Sequence, residues 1–126
     1  MALPIDFITR TRALLGDEYT ELEKALMADV PVSIRMNPKK SDKHPEATSV
    51  PWSHLGYYLP ERLSFTFDPL FQNGTYYVQE ASSMFLEQAI EAYVQDPVVC
   101  LDLCAAPGGK STHLLSLLPE GSVLVS

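Results

Sequence analysis

The chain has 126 residues, 46% of them hydrophobic and 20% charged, a balance that is ordinary for a soluble globular protein. No apolar run approaches the roughly 18 residues of a membrane span, and no secretory signal precedes the two cysteines, which favours a cytoplasmic protein with reduced thiols. The formal net charge of −7 argues against tight binding of nucleic-acid phosphates by this chain alone, although a local basic cluster can bind phosphate on a protein that is acidic overall.

Two amphipathic helices are predicted at the start of the chain. Residues 5–15 place their apolar side chains near one face, and Gly16 follows as a C-cap. Asp17 is expected to act as the N-cap of a second helix, whose apolar stripe begins at Tyr19.

The middle of the chain predicts short strands joined by polar loops. A strand is expected at 30–36, followed by an exposed, proline-containing connection over 38–54. Leu63, Phe65 and Phe67 alternate with polar residues, which favours a half-buried strand. An Asn-Gly turn signal then precedes a further strand at 75–78.

The last third reads as helix, strand, helix, strand. Helical spacing of apolar residues covers 80–94, and an almost wholly apolar strand follows at 98–103. A helix at 109–118 and a new strand from 122 complete the opening of a βαβ unit, so the fold class is α/β. The expected division is an N-terminal α+β region, 1–78, and a second domain that starts in 79–126.

The loop between that strand and helix contains the residues that are expected to bind a ligand. Its sequence, Asp-Leu-Cys-Ala-Ala-Pro-Gly-Gly-Lys-Ser-Thr, occupies 102–112 and is almost free of large side chains. It lies at the carboxyl end of a central-looking strand, where open α/β sheets bind ligands. A helix N-terminus follows, which favours negatively charged ligand groups.

Four interpretations of the loop compete. A phosphate-binding P-loop requires a glycine where Cys104 stands and a backbone N–H where Pro107 has none. A dinucleotide fingerprint fails because Gly108 and Gly109 are adjacent. A tight turn with no ligand is the plain alternative. The fourth interpretation is a loop for S-adenosylmethionine.

Three segments, in order, resemble the Sun/Fmu-type RNA cytosine-5 methyltransferases. The loop at 102–112 is similar to the first cofactor motif of that family. The stretch Gly-Thr-Tyr-Tyr-Val-Gln-Glu-Ala-Ser-Ser at 74–83 is similar to its segment before the catalytic core, and Ser-Ile-Arg-Met-Asn-Pro at 33–38 to its Arg-x-Asn-Pro segment. The resemblance implies that 79–126 begins a Rossmann-like methyltransferase sheet, cut short at Ser126.

The family resemblance implies S-adenosyl-L-methionine as cofactor, bound mainly through the backbone. The cofactor-binding residues are then Cys104, Ala105, Ala106, Pro107, Gly108, Gly109 and Lys110. Glycine lets the chain approach the ligand without a Cβ clash, and the helix start offers free N–H groups. Asp102 is expected to order loop N–H groups. Gln79 and Glu80 are open between a cofactor contact and a helix cap.

The resemblance assigns no catalytic residue within this chain. The family uses cysteines in later motifs, so the nucleophile is expected beyond Ser126, and neither Cys100 nor Cys104 matches it. The spacing of these two cysteines is not that of a zinc site, and no metal is expected.

Other polar and aromatic residues have plainer interpretations. The basic group Arg35, Lys39, Lys40 and Lys43 is the nearest candidate for RNA contact, but its lysines are better explained as a solvated loop. His113 is expected to face solvent. The aromatic residues at 52, 57 and 58 suit packing between the two regions better than stacking on bases.

The predicted function is therefore part of an RNA cytosine-5 methyltransferase, with ribosomal RNA preferred over transfer RNA as substrate. The alternatives are a P-loop-like nucleotide hydrolase and a catalytically silent RNA-interaction module. The 126-residue chain alone is expected to be inactive. It is also expected to self-associate through uncovered strands.

Overall fold

The computed structural model describes residues 3–41 and 45–126. They form two compact units, Met1–Val30 and Pro31–Ser126. The candidate site and everything that positions it lie in the second unit. The functional division predicted at residue 78 falls inside that unit and stays a prediction.

The first unit is a pair of helices. Helix α1 spans Ile5–Leu15 and ends, as predicted, at Gly16, whose φ of 57° suits a residue without Cβ. A 3-10 turn, Gly16–Glu18, then leads into helix α2, Tyr19–Met27. The predicted N-cap at Asp17 is wrong, because this extra turn places Glu18 at the cap position, with no side-chain cap bond.

The second unit is built on an antiparallel sheet. Its strands are β1 (Val32–Met36), β2 (Thr48–Ser49), β3 (Gly56–Leu59) and β4 (Tyr76–Val78), in the order β2-β3-β1-β4. Central strand β1 pairs Ile34 with Tyr57 on one side and with Val78 on the other. The buried core on this sheet comprises Ile34, Met36, Tyr57, Phe65 and Tyr76.

Two predictions in this region are wrong. The connection over 38–54 is not fully exposed, because Val50 and Ser53, which follow the exposed strand β2, are buried. Residues 42–44 of this connection, with Lys43 of the predicted basic group, lie outside the described residues. The strand predicted around Phe65 is a 3-10 turn, Phe65–Phe67, which buries only its first residue. A short helix α3, Pro69–Gln72, follows and is capped by Asp68, whose side chain accepts the Leu70 N–H at 2.9 Å.

The predicted helix over 80–94 is present, with a different buried face. It begins as a 3-10 helix, Ala81–Phe85, and continues as α4, Leu86–Tyr93. Met84 and Glu87 are fully buried, whereas Phe85, expected on the inner stripe, is 60% exposed. Trp52 packs on the Phe85 ring and donates to the Ala81 carbonyl at 2.7 Å. The predicted packing of Trp52 against the 79–126 region is therefore confirmed.

The predicted strand, helix and strand at the end of the chain are confirmed. They are β5 (Val99–Leu101), α5 (Gly109–Leu117) and β6 (Val123–Val125), and the two strands pair in parallel. Within residues 3–41 and 45–126, no helix is long and apolar enough to cross a membrane.

Candidate cofactor site

The loop between β5 and α5 is closed by its own aspartate. One carboxylate oxygen of Asp102 accepts the backbone N–H of Cys104 at 3.0 Å, and the other accepts the Ser111 hydroxyl at 2.7 Å. The carboxylate therefore joins the start of the loop to the first turn of α5. This confirms that Asp102 orders the loop.

A cavity of about 190 Å³ lies between this loop and the segment 77–83. Its lining includes six of the seven predicted cofactor residues: Cys104, Ala105, Ala106, Pro107, Gly109 and Lys110. Gly108, the seventh, does not line the cavity but turns the chain into α5 with a φ of 101°, a conformation that disfavours side chains. The structure thus brings the predicted residues together around one opening.

Tyr77 and Gly109 both line the cavity and lie close together. A Cβ added to Gly109 would lie 3.2 Å from Cε1 of Tyr77, tighter than an ordinary van der Waals contact. The absence of a side chain at 109 therefore lets the helix start approach the tyrosine ring. This is the close approach for which a glycine is required.

Helix α5 begins at the cavity, with Gly109 and Lys110 in the lining. The first N–H groups of a helix have no intrahelical partner, so they are donors for an anionic group such as a carboxylate. The exposed Lys110 adds a positive charge at the same end. The site can thus bind the negatively charged end of a ligand without a buried side-chain cation.

The loop differs from a phosphate cradle in where its N–H groups point. Cys104 N–H bonds Asp102, Gly108 N–H bonds the Ala105 carbonyl at 2.6 Å, and Pro107 has no N–H. A P-loop uses such groups to surround a phosphate. This geometry disfavours the nucleotide-hydrolase alternative.

Arg35 of β1 holds helix α5 in place. Its guanidinium donates to the Gly109 carbonyl at 3.3 Å and to the Thr112 hydroxyl at 2.7 Å, while Nε donates to Gln79 at 2.8 Å. Arg35 is only 2% exposed. Burial lowers its pKa to about 10, opposed by the charge of Glu87 and by Tyr77. Gln79, left open by the sequence, is therefore bonded to Arg35 and also lines the cavity.

A second buried group fixes α5 to α4. Glu87 accepts from Ser53 Oγ at 2.6 Å, from the His54 N–H at 2.7 Å, and contacts His113 Nε2 at 3.1 Å. Burial alone raises the pKa of Glu87, but the hydrogen bonds from His113, Ser53 and His54 outweigh it and lower the pKa to about 2. The prediction that His113 faces solvent is wrong, because its side chain is fully buried against this carboxylate.

The sequence pattern predicts no positioning role for Arg35, which lies in the Arg-x-Asn-Pro segment at 33–38, and none for Glu87. The signal for Arg35 is a lone charge within the apolar strand Val-Ser-Ile-Arg-Met, since a buried charge requires a partner. Glu87 carries no comparable signal.

The remaining candidates have simple surroundings. Cys100 is half-buried and Cys104 is exposed, and both are free thiols.

His54, Glu87 and Glu91 each bring one potential ligand atom within 4.8 Å of the others. His54 Nδ1 lies 2.7 Å from Glu87 and 3.0 Å from Glu91, so this group forms an ion-pair network. Glu80, left open by the sequence between a cofactor contact and a helix cap, lines the cavity and makes no side-chain cap bond.

The strand, the small-residue loop and the glycine-started helix form the opening of an α/β sheet of the methyltransferase type. The chain belongs to the family described as the N-terminal domain of 16S rRNA methyltransferase RsmF, whose model matches residues 3–81. The similarity to Sun/Fmu-type enzymes noted in the sequence is therefore confirmed.

Individual relatives agree with this assignment. Ribosomal RNA small subunit methyltransferase F of Vibrio cholerae is 29% identical over 143 residues, covering 100% of this chain and 30% of the relative. Methyltransferase B of Enterobacter sp. is 45% identical over 56 residues, 44% of this chain and 13% of the relative. A solved methyltransferase homologue from Pyrococcus horikoshii has a TM-score of 0.77 and 29% identity, covering 98% of this chain and 43% of that one.

These figures confirm the α/β fold with its opening methyltransferase strand, helix and strand. The chain spans about 30% of the length of the curated methyltransferase F relatives it matches.

Proposed function

We propose that this chain is the N-terminal part of a cytoplasmic enzyme that methylates carbon 5 of a cytosine in ribosomal RNA. The curated relatives are named as ribosomal RNA small subunit methyltransferases, which supports the substrate class. The observation that carries the proposal is the cavity between the 104–110 loop and Tyr77, with a helix N-terminus at its edge.

The proposed cofactor is S-adenosyl-L-methionine, which supplies an electrophilic methyl group when bound. The N–H groups that begin α5 would hold its carboxylate, and Lys110 would add charge beside them. Small-molecule sites usually enclose roughly 300–1,000 Å³. The cavity of about 190 Å³ therefore suits one part of the cofactor, and we assign it the methionine end.

The residues of this chain bind and orient the cofactor in this proposal. Arg35 and Glu87 act as positioning residues, because they fix α5 from two sides. We assign no nucleophile to Cys100 or Cys104. The proposal therefore predicts cofactor binding by the 126-residue chain without turnover.

Calorimetry with S-adenosyl-L-methionine tests the site directly. We expect the chain to bind the cofactor and Gly109→Ala to weaken binding by about tenfold or more, because the added methyl group meets the Tyr77 ring. Gly16→Ala, in the other unit, adds a Cβ that meets open space but strains the backbone at a φ of 57°, so it should lower stability and leave the affinity of the folded chain unchanged. Thermal denaturation of both variants separates lost binding from lost folding.

Calorimetry and a separate methyl-transfer assay each have an outcome that contradicts the proposal. Binding of ATP in place of the cofactor would restore the hydrolase alternative and end the proposal. Transfer of labelled methyl groups to unmodified small-subunit ribosomal RNA, read as 5-methylcytidine, would contradict the expected inactivity of the chain. Transfer to transfer RNA in preference would contradict the substrate class.

A further inference from the structure

A second cavity, of about 240 Å³, shares Tyr77 with the cofactor cavity. We call it the basic cavity; its lining includes Arg35, Asn37, Lys40, Tyr77 and Thr112. Among the described residues that line it there are two cationic side chains and no acidic one. In a chain of net charge −7, this is a local concentration of positive charge.

Arg35 gives the basic cavity a cation without a directly paired carboxylate. Within the described parts of the chain, no Asp or Glu oxygen lies within salt-bridge distance of its guanidinium, whose hydrogen bonds go to carbonyl, hydroxyl and amide oxygens. The negative charge of Glu87 raises the pKa of Arg35 without a direct contact between the two side chains. A buried charge without a paired counter-charge leaves a positive potential that favours an anion nearby.

Lys40 is fixed at the edge of the same cavity. Its ammonium donates to the Asn73 carbonyl at 2.5 Å, which uses one of three N–H donors. Its backbone N–H bonds the Asn37 carbonyl at 3.0 Å, and the Asn37 side chain donates to the Gly74 carbonyl at 3.0 Å. The turn that carries Lys40 is thus hydrogen-bonded to residues 73 and 74, in the turn before β4. This lysine has a defined position, unlike one on a freely solvated loop.

We propose that the basic cavity binds a backbone phosphate of the RNA, an inference that rests on the proposed function above. Lys40 keeps N–H donors for a phosphate group, whereas Arg35, whose N–H donors all bond protein oxygens, contributes only its charge. No acidic side chain is among the described residues that line the cavity. Tyr77 forms a wall of both cavities, so an RNA strand held here would lie beside the methyl donor. The acidic remainder of the chain repels a polyanion, which confines binding to this place.

The neighbouring lysines Lys39 and Lys40 provide a matched test. Both are exposed and carry the same charge, but only Lys40 lines the basic cavity. The probe is a fluorescein-labelled single-stranded RNA of small-subunit ribosomal sequence, followed by anisotropy at several KCl concentrations. We expect Lys40→Gln to weaken binding by about fivefold to tenfold and to lower the salt slope by roughly one phosphate contact. Lys39→Gln should change the affinity by less than about twofold.

Equal effects of the two substitutions on RNA affinity, or no effect of either, would contradict a phosphate site in the basic cavity. An RNA affinity that Lys40→Gln leaves unchanged, together with binding of inorganic phosphate that the same substitution weakens, would assign the cavity to a free anion and overturn the RNA assignment. Calorimetry with S-adenosyl-L-methionine separates the two proposals. RNA binding through Lys40 without cofactor binding would defeat the proposed function alone, whereas cofactor binding with equal lysine effects would defeat the basic cavity alone.

Discussion

The antiparallel sheet and the parallel strand pair use similar apolar side chains and bury them to very different extents. Ile34, on β1, is 5% exposed and has strand neighbours on both sides. Val99 and Leu101, on β5, are 79% and 61% exposed. The antiparallel sheet is covered by Phe65 and Phe71 from the segment between β3 and β4, whereas parallel strands are normally buried on both faces by helices. The difference shows that a strand's sequence specifies its hydrophobicity but not the elements that cover it.

Paired truncations of the two strands measure this difference directly. Ile34→Ala removes buried methylene and methyl groups and should lower the free energy of unfolding by about 2–5 kcal/mol. Leu101→Ala removes a similar side chain from solvent and should change it by less than about 0.5 kcal/mol. Urea denaturation followed by tryptophan fluorescence gives both values, since Trp52 lies in the same unit. Equal losses in the two variants would remove the distinction between the strands.

The buried carboxylate between α4 and α5 should be the next largest contributor. Glu87→Gln puts an amide among the donors of Ser53, His54 and His113 and should cost about 2–3 kcal/mol at pH 7. Because the folded-state pKa of Glu87 is about 2, below the ordinary 4.5, its contribution is present above 4.5 and is lost as pH falls toward 2. The difference between wild type and variant should therefore shrink over that range.

The contribution of His54 to stability depends on pH in the opposite sense to that of Glu87. The hydrogen bond to Glu87, followed by the charges of Glu91 and Glu87, raises the pKa of this largely exposed histidine above 6.5. Its contribution is complete below 6.5 and is lost as pH rises through the raised value. Denaturation curves from acid to mildly alkaline pH should show the greatest stability at about pH 5–6. A difference between wild type and the Glu87→Gln variant that is independent of pH would contradict the assigned network.

The smallest expected effect on stability concerns the exposed face of β5. Leu101→Lys should leave the free energy of unfolding within about 0.5 kcal/mol of the wild-type value, because Leu101 is mostly exposed. We propose that the chain self-associates through this face, since exposed apolar strands pair with other chains. Light scattering should show a lower mean mass for the variant than for wild type. A monomeric wild-type chain would contradict this expectation.

The loop and its flanking elements are predictable because their information is local. The apolar run at 98–103, the small residues at 104–109 and the helical pattern after them specify strand, turn and helix without reference to distant residues. The position of α5 is confirmed to within one residue of its predicted end. The cofactor contacts themselves stay a prediction, although the lining of the cavity supports them.

The failures come from contacts between distant residues. The Tyr-Tyr run in β3 lacks the alternation of a half-buried strand, and only pairing with β1 reveals it as one. The alternation at 63–67 predicts a strand, but the Asp68–Pro69 helix start and packing of Phe65 against Tyr76 favour a tighter turn. Burial of His113 depends on Glu87, 26 positions earlier, and neither residue type suggests the interior.

Asp102 has a consequence for the thermodynamics of ligand binding. Its two bonds, to Cys104 and Ser111, hold the loop in one conformation before a ligand arrives. A ligand that meets a preorganised loop loses less affinity to the entropy of ordering it. Asp102 can thus strengthen binding without contacting the bound molecule.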